Sequence, residues 1–348
     1  MEKLDILSLT AGEIKDVIKN LSQPQYRAKQ VWGWLHLQHV QTFDEMVNLP
    51  KQLRVRLNEL YYIATVSTVK KLTSTDGTVK YLFALHDGIL VESVLMEYAH
   101  GNTVCVSTQA GCRMGCAFCA SAEGGLQRNL TAGEICAQVY AASRDCKRVG
   151  GVVLMGCGEP LDNFDATLRF IDLITHPDGV NIGARHITLS TCGLVPQILE
   201  LAERELQINL AISLHGGTDE VRQKLMPIAK HYPLPQLIDA CRLYLQKTGR
   251  RITFEYALAK NINDSPHHAK ELAKLLRGMN CHVNLIPMNK ARGEFQTSPR
   301  KEANAFAQIL QDAKIQTTIR RSLGEDVNAA CGQLRSTQQT HESYSHST

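Results

Sequence analysis

The chain has 348 residues, 44% hydrophobic and 21% charged, with a net charge of +4. This composition excludes a disordered or low-complexity protein and leaves a globular one, long enough for two domains or a barrel plus an appendage. No run of 18 apolar residues occurs, so no membrane span is expected. Met1-Glu-Lys-Leu-Asp5 lacks a signal-peptide pattern, so the 11 Cys predict a reducing, cytoplasmic setting and no disulfide framework. The mild positive charge permits a nucleic-acid partner without demanding one.

The first sixty residues predict helices. Thr10-Ala-Gly-Glu13 has capping-box spacing, and apolar residues follow at helical intervals through Leu21. Further helices are expected over 26–37 and, after Pro50, over 51–60. The pattern then turns to strands at 64–69, 79–85 and 89–96, joined by turns at Ser74-Thr-Asp-Gly77 and His86-Asp-Gly88. From about Gly101, strands (103–107, 151–155, 186–190, 208–213, 252–256, 282–286) alternate with helices (131–143, 165–174, 194–203, 234–247, 267–276). Thr131-Ala-Gly-Glu134 is a second capping box. Such βα repetition predicts a parallel sheet with right-handed crossovers. Six units are too few to close an eight-stranded barrel, so the expected class is α/β, a partial (β/α)6 TIM-like barrel. The expected organisation is a helical accessory domain (1–62), a β extension (63–97), a core barrel (98–335) and a polar, disordered tail (336–348).

Gly111-Cys-Arg-Met-Gly-Cys-Ala-Phe-Cys119 sets Cys112, Cys116 and Cys119 on one short loop after the first barrel strand. Three thiolates can hold three irons of a [4Fe–4S] cube, and without a fourth Cys on the loop one iron stays open for a small molecule. A zinc site would need a fourth ligand at zinc-like spacing. With Phe118 before the last Cys, the loop resembles the signature of the radical S-adenosylmethionine (SAM) enzymes, whose open iron chelates the amino and carboxylate groups of SAM. In parallel barrels chemistry gathers at the C-terminal strand ends. There this chain places Gly156-Cys-Gly-Glu-Pro160, Ser190-Thr-Cys-Gly193, Ser213-Leu-His215 and Pro287-Met-Asn289. Gly158-Glu159 suits the ammonium and backbone-like end of SAM, while Ser190, Ser213, His215 and Asn289 offer partners for ribose, carboxylate and adenine. Each alone reads as a satisfied polar residue at a strand end; facing one cysteine loop, they read as a set.

These segments, with Glu92 in Val91-Glu-Ser-Val94, Cys105 in Val104-Cys-Val-Ser107, Arg128-Asn-Leu130 and Gly324-Glu-Asp-Val-Asn-Ala-Ala-Cys-Gly-Gln-Leu334, resemble the RlmN family over nearly the whole chain. The resemblance implies a radical SAM methyltransferase acting on C2 of an adenosine in the peptidyl transferase loop of 23S rRNA and in the anticodon loop of some tRNAs. It implies a [4Fe–4S] cluster on Cys112, Cys116 and Cys119, and SAM bound by Gly158, Glu159, Ser190, Ser213, Leu214, His215 and Asn289. Two SAM are used per turnover: one methylates Cys331, the other gives a deoxyadenosyl radical that activates the methyl group. Glu92 is implied as the acceptor of the C2 proton and Cys105 as the thiol that resolves Cys331 through a transient disulfide. A low-potential donor such as flavodoxin or ferredoxin, and a monomeric enzyme, are also implied. A related family, Cfr, methylates C8 of the same base, but usually has Ala where Pro160 stands. A non-catalytic iron–sulfur RNA-binding protein would need neither Cys331 nor Glu92.

On the residues alone, Cys105 reads as strand packing and Glu92 as a strand surface carboxylate. Cys331 lies in a polar, Gly-flanked segment suited to an accessible thiolate, with Arg320 and Arg321 near in sequence. Cys157 departs from the family, which usually has an apolar residue there. The remaining cysteines, Cys136, Cys146, Cys192, Cys241 and Cys281, read as structural. For RNA contact, Tyr26, Arg27, Lys29, Gln30, Trp32, Trp34 and His36 mix basic and aromatic side chains on one helix. Trp32 reads equally as a stacking surface or as core.

Overall fold

The computed structural model describes residues 3–99, 101–288, 295–320 and 323–327. The N-terminal segment forms three helices, Ala11–Asn20, Tyr26–His36 and Lys51–Leu60. The first starts at its capping box: Thr10 Oγ1 accepts from the Glu13 N–H at 3.2 Å, and the Glu13 carboxylate accepts from the Thr10 N–H at 2.7 Å. The inner faces of these helices, including Ile14, Ile18, Val31, Trp32, Leu53 and Leu57, join one core that continues into the barrel. Burial of each such large apolar side chain contributes roughly 1.5–3 kcal/mol.

Polar stitches fix the same junction. Asp5 Oδ2 accepts from Thr131 Oγ1 at 2.8 Å, while its Oδ1 accepts from the N–H groups of Leu7 and Ala64. Trp32 donates its indole N–H to the Asp178 carbonyl at 2.9 Å. Trp32 is therefore core. His36 is buried as well, its Nδ1 2.8 Å from the Tyr140 hydroxyl. On the surface of that helix stay Tyr26 and Arg27, the guanidinium 4.9 Å over the Tyr26 ring.

A ten-stranded sheet carries the rest of the described chain. Seven strands run parallel in spatial order: Gly101–Cys105, Val149–Leu154, Ile187–Thr191, Asn209–Ser213, Ile252–Leu258, Cys281–Pro287 and Gln316–Ile319. Parallel neighbours need crossovers. The helices Ala132–Ser143, Phe164–Thr175, Val195–Glu203, Leu234–Thr248, Pro266–Leu275 and Arg300–Asp312 supply them. Beyond Gly101–Cys105 the sheet continues antiparallel through Leu90–Tyr98, Val79–Ala84 and Ser67–Thr73. Among the described residues the two edge strands do not pair with each other, so the barrel is partial and open, as expected.

Three details depart from the sequence reading. The seventh parallel strand, Gln316–Ile319, is short and alternates exposed with half-buried residues, so it shows no apolar run. Its helix, Arg300–Asp312, buries only a narrow stripe of Ala303, Phe306, Ala307 and Leu310. The strand expected at 64–69 lies at Ser67–Thr73, because Ala64 gives its N–H to Asp5 and not to a strand neighbour.

Candidate active site

The cysteine loop is pinched at its base by a two-stranded ladder of Gln109–Gly111 with Leu126–Asn129. Gly111 has φ of +79°, and a Cβ there would sit 2.0 Å from the Gly125 carbonyl oxygen, so only glycine fits. Inside the loop, the Cys112 N–H donates to Gly125 O at 3.0 Å and the Cys119 N–H to Cys116 O at 3.1 Å. The exit strand is anchored by Arg128, whose guanidinium donates two 2.8 Å hydrogen bonds to the Glu134 carboxylate and a third, at 2.7 Å, to Asp87. Ala117 N–H donates to Leu225 O, which ties the loop to the short helix Asp219–Leu225.

Above the loop lies a cavity of about 560 Å³. Cys112, Cys116, Cys119 and Phe118 form one side; the ends of six parallel strands form the rest through Cys105, Gly156, Ser190, Ser213, Glu255 and Ile286. Gly158 and Glu159 complete the wall. Gly158 has φ of +109° and packs its backbone on Gln109, where a Cβ would meet atoms at 2.6 Å. Glu159 is buried; its Oε2 accepts from the Cys192 N–H at 2.7 Å and its Oε1 from the Leu161 N–H at 3.0 Å. Burial raises its carboxyl above the ordinary value, against those hydrogen bonds.

His215 turns the chain in a left-handed conformation, φ +55°. Its Nδ1 accepts from the Ala257 N–H at 3.0 Å, so the neutral ring carries its proton on Nε2. Burial, with Arg222 a lesser cause, holds this imidazole at about 3. Phe118, the aromatic residue of the cysteine loop, meets the His215 ring edge-on at 5.0 Å. The cavity thus brings together Cys105, the three loop cysteines, Gly158, Glu159, Ser190, Ser213 and His215. Leu214 is fully buried and offers the cavity no side chain; its N–H donates to Glu255 O. Asn289 and Cys331 lie outside the described residues.

Glu92 is buried on the strand Leu90–Tyr98, its Oε1 3.4 Å from the Lys80 ammonium. It shares a strand face with Val94 and Met96, which do line the cavity. Val94 pairs in register with Cys105. Burial pushes the Cys105 thiol up to about 11, with Arg320 pulling it down and Glu92 adding to the rise. Neither residue is surface: the strand carboxylate of the sequence reading is an interior one.

Several residues here were not read as site residues from the sequence. Cys192, read as structural, lines the cavity next to Glu159. Glu255 lines it too and holds a 2.8 Å hydrogen bond from Asn284. Arg222 is wholly buried behind the loop, donating to the carbonyls of Cys192 and Tyr232. Asn263 binds the floor: Nδ2 donates to the carbonyls of His215 and Ala257, and Oδ1 accepts from the Ala259 N–H at 2.7 Å. The backbone at Arg222 lies 2.9 Å from where a Cβ on Gly216 would stand, so glycine is needed at 216 whatever residue follows at 222.

The donor set fits an iron–sulfur cluster. Burial pushes the Cys112 and Cys116 thiols up to about 12, and the charges of Cys119 and Glu159 add to the rise in both. Buried thiols of this kind give up their protons on binding a soft cation that takes thiolate. An open parallel barrel with three thiols at its mouth is the arrangement of the radical SAM class, and a model of the Radical SAM superfamily matches residues 106–276. A model of the ribosomal RNA large subunit methyltransferase N-terminal domain matches residues 4–63. The probable dual-specificity RNA methyltransferase RlmN of Alkaliphilus oremlandii is 53% identical over 338 residues, 96% of this chain and 98% of its own. That of Bacillus subtilis is 49% identical over 346 residues, covering 98% and 95%. The crystal structure of a radical SAM methyltransferase from Sphaerobacter thermophilus superposes with a TM-score of 0.91 at 44% identity, over 95% of this chain and 98% of that one. The chain belongs to the RlmN family. Membership implies SAM and a [4Fe–4S] cluster as its cofactors. Among the described residues, no helix is long and apolar enough to cross a membrane.

Proposed function

We propose that this chain is a radical SAM RNA methyltransferase of dual specificity, methylating C2 of an adenosine in the peptidyl transferase loop of 23S rRNA and in the anticodon loop of some tRNAs. The observation that carries the reading is the convergence of three thiols with Gly158, Glu159, Ser190, Ser213 and His215 around one 560 Å³ cavity. C2 of adenine is electron-poor and bears no acidic proton, so a carbon radical can add where simple displacement cannot. When bound, SAM and the cluster supply both an electrophilic methyl group and a 5′-deoxyadenosyl radical, two SAM per turnover.

The chain's own residues divide the remaining work. Cys112, Cys116 and Cys119 would hold the cluster. Glu159 would face the ammonium end of SAM; Ser190, Ser213, the neutral His215, the Leu214 backbone and Asn289 would hold the rest. Cys331 carries the methyl group as S-methylcysteine. Glu92 accepts the C2 proton once the base is joined to the carrier. Cys105, as thiolate, then attacks the Cys331 sulfur; the bond to the RNA methylene breaks, that carbon keeps the electron pair and takes a proton to become the methyl group, and the resulting disulfide takes two electrons from outside to reset both thiols. Its burial fits a thiol meant for one intramolecular partner. The target adenosine must be flipped to reach a cavity at the strand ends. We read the protein as a cytoplasmic monomer served by flavodoxin or ferredoxin, with residues 1–62 helping to bind RNA.

The test is anaerobic incubation of reconstituted protein with reductant, 23S rRNA and methyl-labelled SAM, followed by nucleoside mass spectrometry beside Cys331→Ala. Label in 2-methyladenosine with wild type alone supports product and carrier. Label at C8 would replace the assigned position, and no label in 23S rRNA or tRNA would sink the substrate.

A further inference from the structure

The turn Ser74–Thr78 in the antiparallel extension sits some 250 residues from the C-terminal segment Gly324–Val327, yet the two are laced together. Ser74 Oγ donates to Asp326 Oδ1 at 2.5 Å, and the Thr75 N–H donates to Asp326 Oδ2 at 3.1 Å. In the opposite sense, the Gly324 N–H donates to Asp76 Oδ2 at 2.9 Å. The receiving turn is organised without its partner: the Thr78 N–H donates to Asp76 Oδ1, Gly77 N–H to Ser74 O, and Ser74 N–H to Thr78 O. Gly77 takes φ of +85°, as the turn demands. These hydrogen bonds hold both carboxyls below the usual carboxylate range.

The lacing sits at the cavity. Thr78 on one side, and Arg320 and Leu323 on the other, line its wall. Asp326 precedes Cys331 by five residues. Five residues reach at most about 18 Å when extended. A chain pinned at Asp326 therefore limits the reach of the Cys331 sulfur to that length from the pin, and a limited reach raises effective concentration.

We propose that the Ser74–Thr78 turn is the docking bracket for the arm that carries Cys331, with Asp76 and Asp326 as its positioning residues. The bracket rests on the reading of Cys331 as methyl carrier. Loading of the carrier is a displacement: the Cys331 thiolate forms an S–C bond as the sulfonium S–CH3 bond of SAM breaks, S-adenosylhomocysteine leaves, and no electrons are gained or lost. The bracket acts on this step through position alone, so its loss slows loading without altering the cluster site.

Full-length, cluster-reconstituted protein is incubated with methyl-labelled SAM, and the initial rate of label entering the Cys331 peptide is read by mass spectrometry. Asp326→Ala and Asp76→Ala are expected to load about tenfold more slowly, with iron content and melting temperature at wild-type values; Ser74→Thr, which keeps the hydroxyl, loads normally. Wild-type loading by Asp326→Ala overturns the bracket. If that variant does not fold, Ser74→Ala removes a single donor: slowed loading supports the bracket and unchanged loading overturns it. Absence of label from Cys331 in the wild-type chain overturns the carrier reading and the bracket with it, an outcome distinct from equal label in wild type and variants.

Discussion

The Lys80 ammonium lies 3.4 Å from Glu92 Oε1, with both side chains buried on neighbouring antiparallel strands. The register sets Leu82 opposite Glu92, so Lys80 reaches it diagonally from the same sheet face. Removing one partner of a buried ion pair typically costs about 3–5 kcal/mol, more than the pair itself contributes. Lys80→Met should therefore lower unfolding free energy by that order in denaturant titration. Adding Glu92→Gln should recover part of the loss, because the carboxylate that suffers is gone. Additive losses in the double variant would show that the two groups are not coupled.

His36 gives the chain an acid-sensitive joint. Burial, helped by the charges of His39 and His176, holds it at about 3, below its ordinary 6.5. Between those values the unfolded chain binds a proton that the folded chain does not, so stability rises with pH and falls on acidification. The slope is about 1.4 kcal/mol per pH unit for one such group. His36→Gln should flatten the decline of melting temperature from pH 6.5 to pH 4. An unchanged slope would place the acid sensitivity elsewhere.

Gly111 should be irreplaceable and Gly33 replaceable. A Cβ at Gly111 collides with the Gly125 carbonyl, whereas at Gly33 it meets nothing within 4 Å. Gly111→Ala is expected to reduce iron bound after anaerobic reconstitution severalfold by displacing Cys112. Gly33→Ala, inside the helix Tyr26–His36, should bind iron normally and gain up to about 1 kcal/mol in stability. Iron content and melting temperature read both.

Asn263→Ala removes three buried hydrogen bonds beneath His215. Each stranded backbone group costs about 1–3 kcal/mol. The expected result is a destabilised chain in which SAM affinity, measured calorimetrically at a temperature where it stays folded, falls as well. Wild-type affinity would mean that Asn263 holds the fold but not the His215 turn.

Much of this was written in local patterns. Thr10 and Thr131 announce their helices through capping boxes that both form. The βα alternation shows the parallel sheet, and the glycine-flanked cysteines show the loop. What stayed hidden depends on partners distant in sequence. Arg222 and Asn263 are ordinary polar residues until the fold sets backbone carbonyls around them. Trp32 could be core or surface until Asp178, 146 residues away, receives its indole proton. Glu92 and Lys80 look like alternating strand charges because the sheet face that buries them belongs to other segments. The edge strand Gln316–Ile319 lacks the hydrophobic run that marks its neighbours.

The unbroken core between the N-terminal helices and the barrel means that neither can be treated as a removable cassette. Cutting the chain near residue 63 would strip Tyr140 of His36 and Thr131 of Asp5, uncovering apolar barrel surface that no other described segment shields. A heated sample should then melt in one transition. On the proposed reading, RNA engaged by the helical end is held in fixed register with the cysteine loop, so the distance from grip to reaction centre is a property of the fold, as in a caliper whose jaws share one frame.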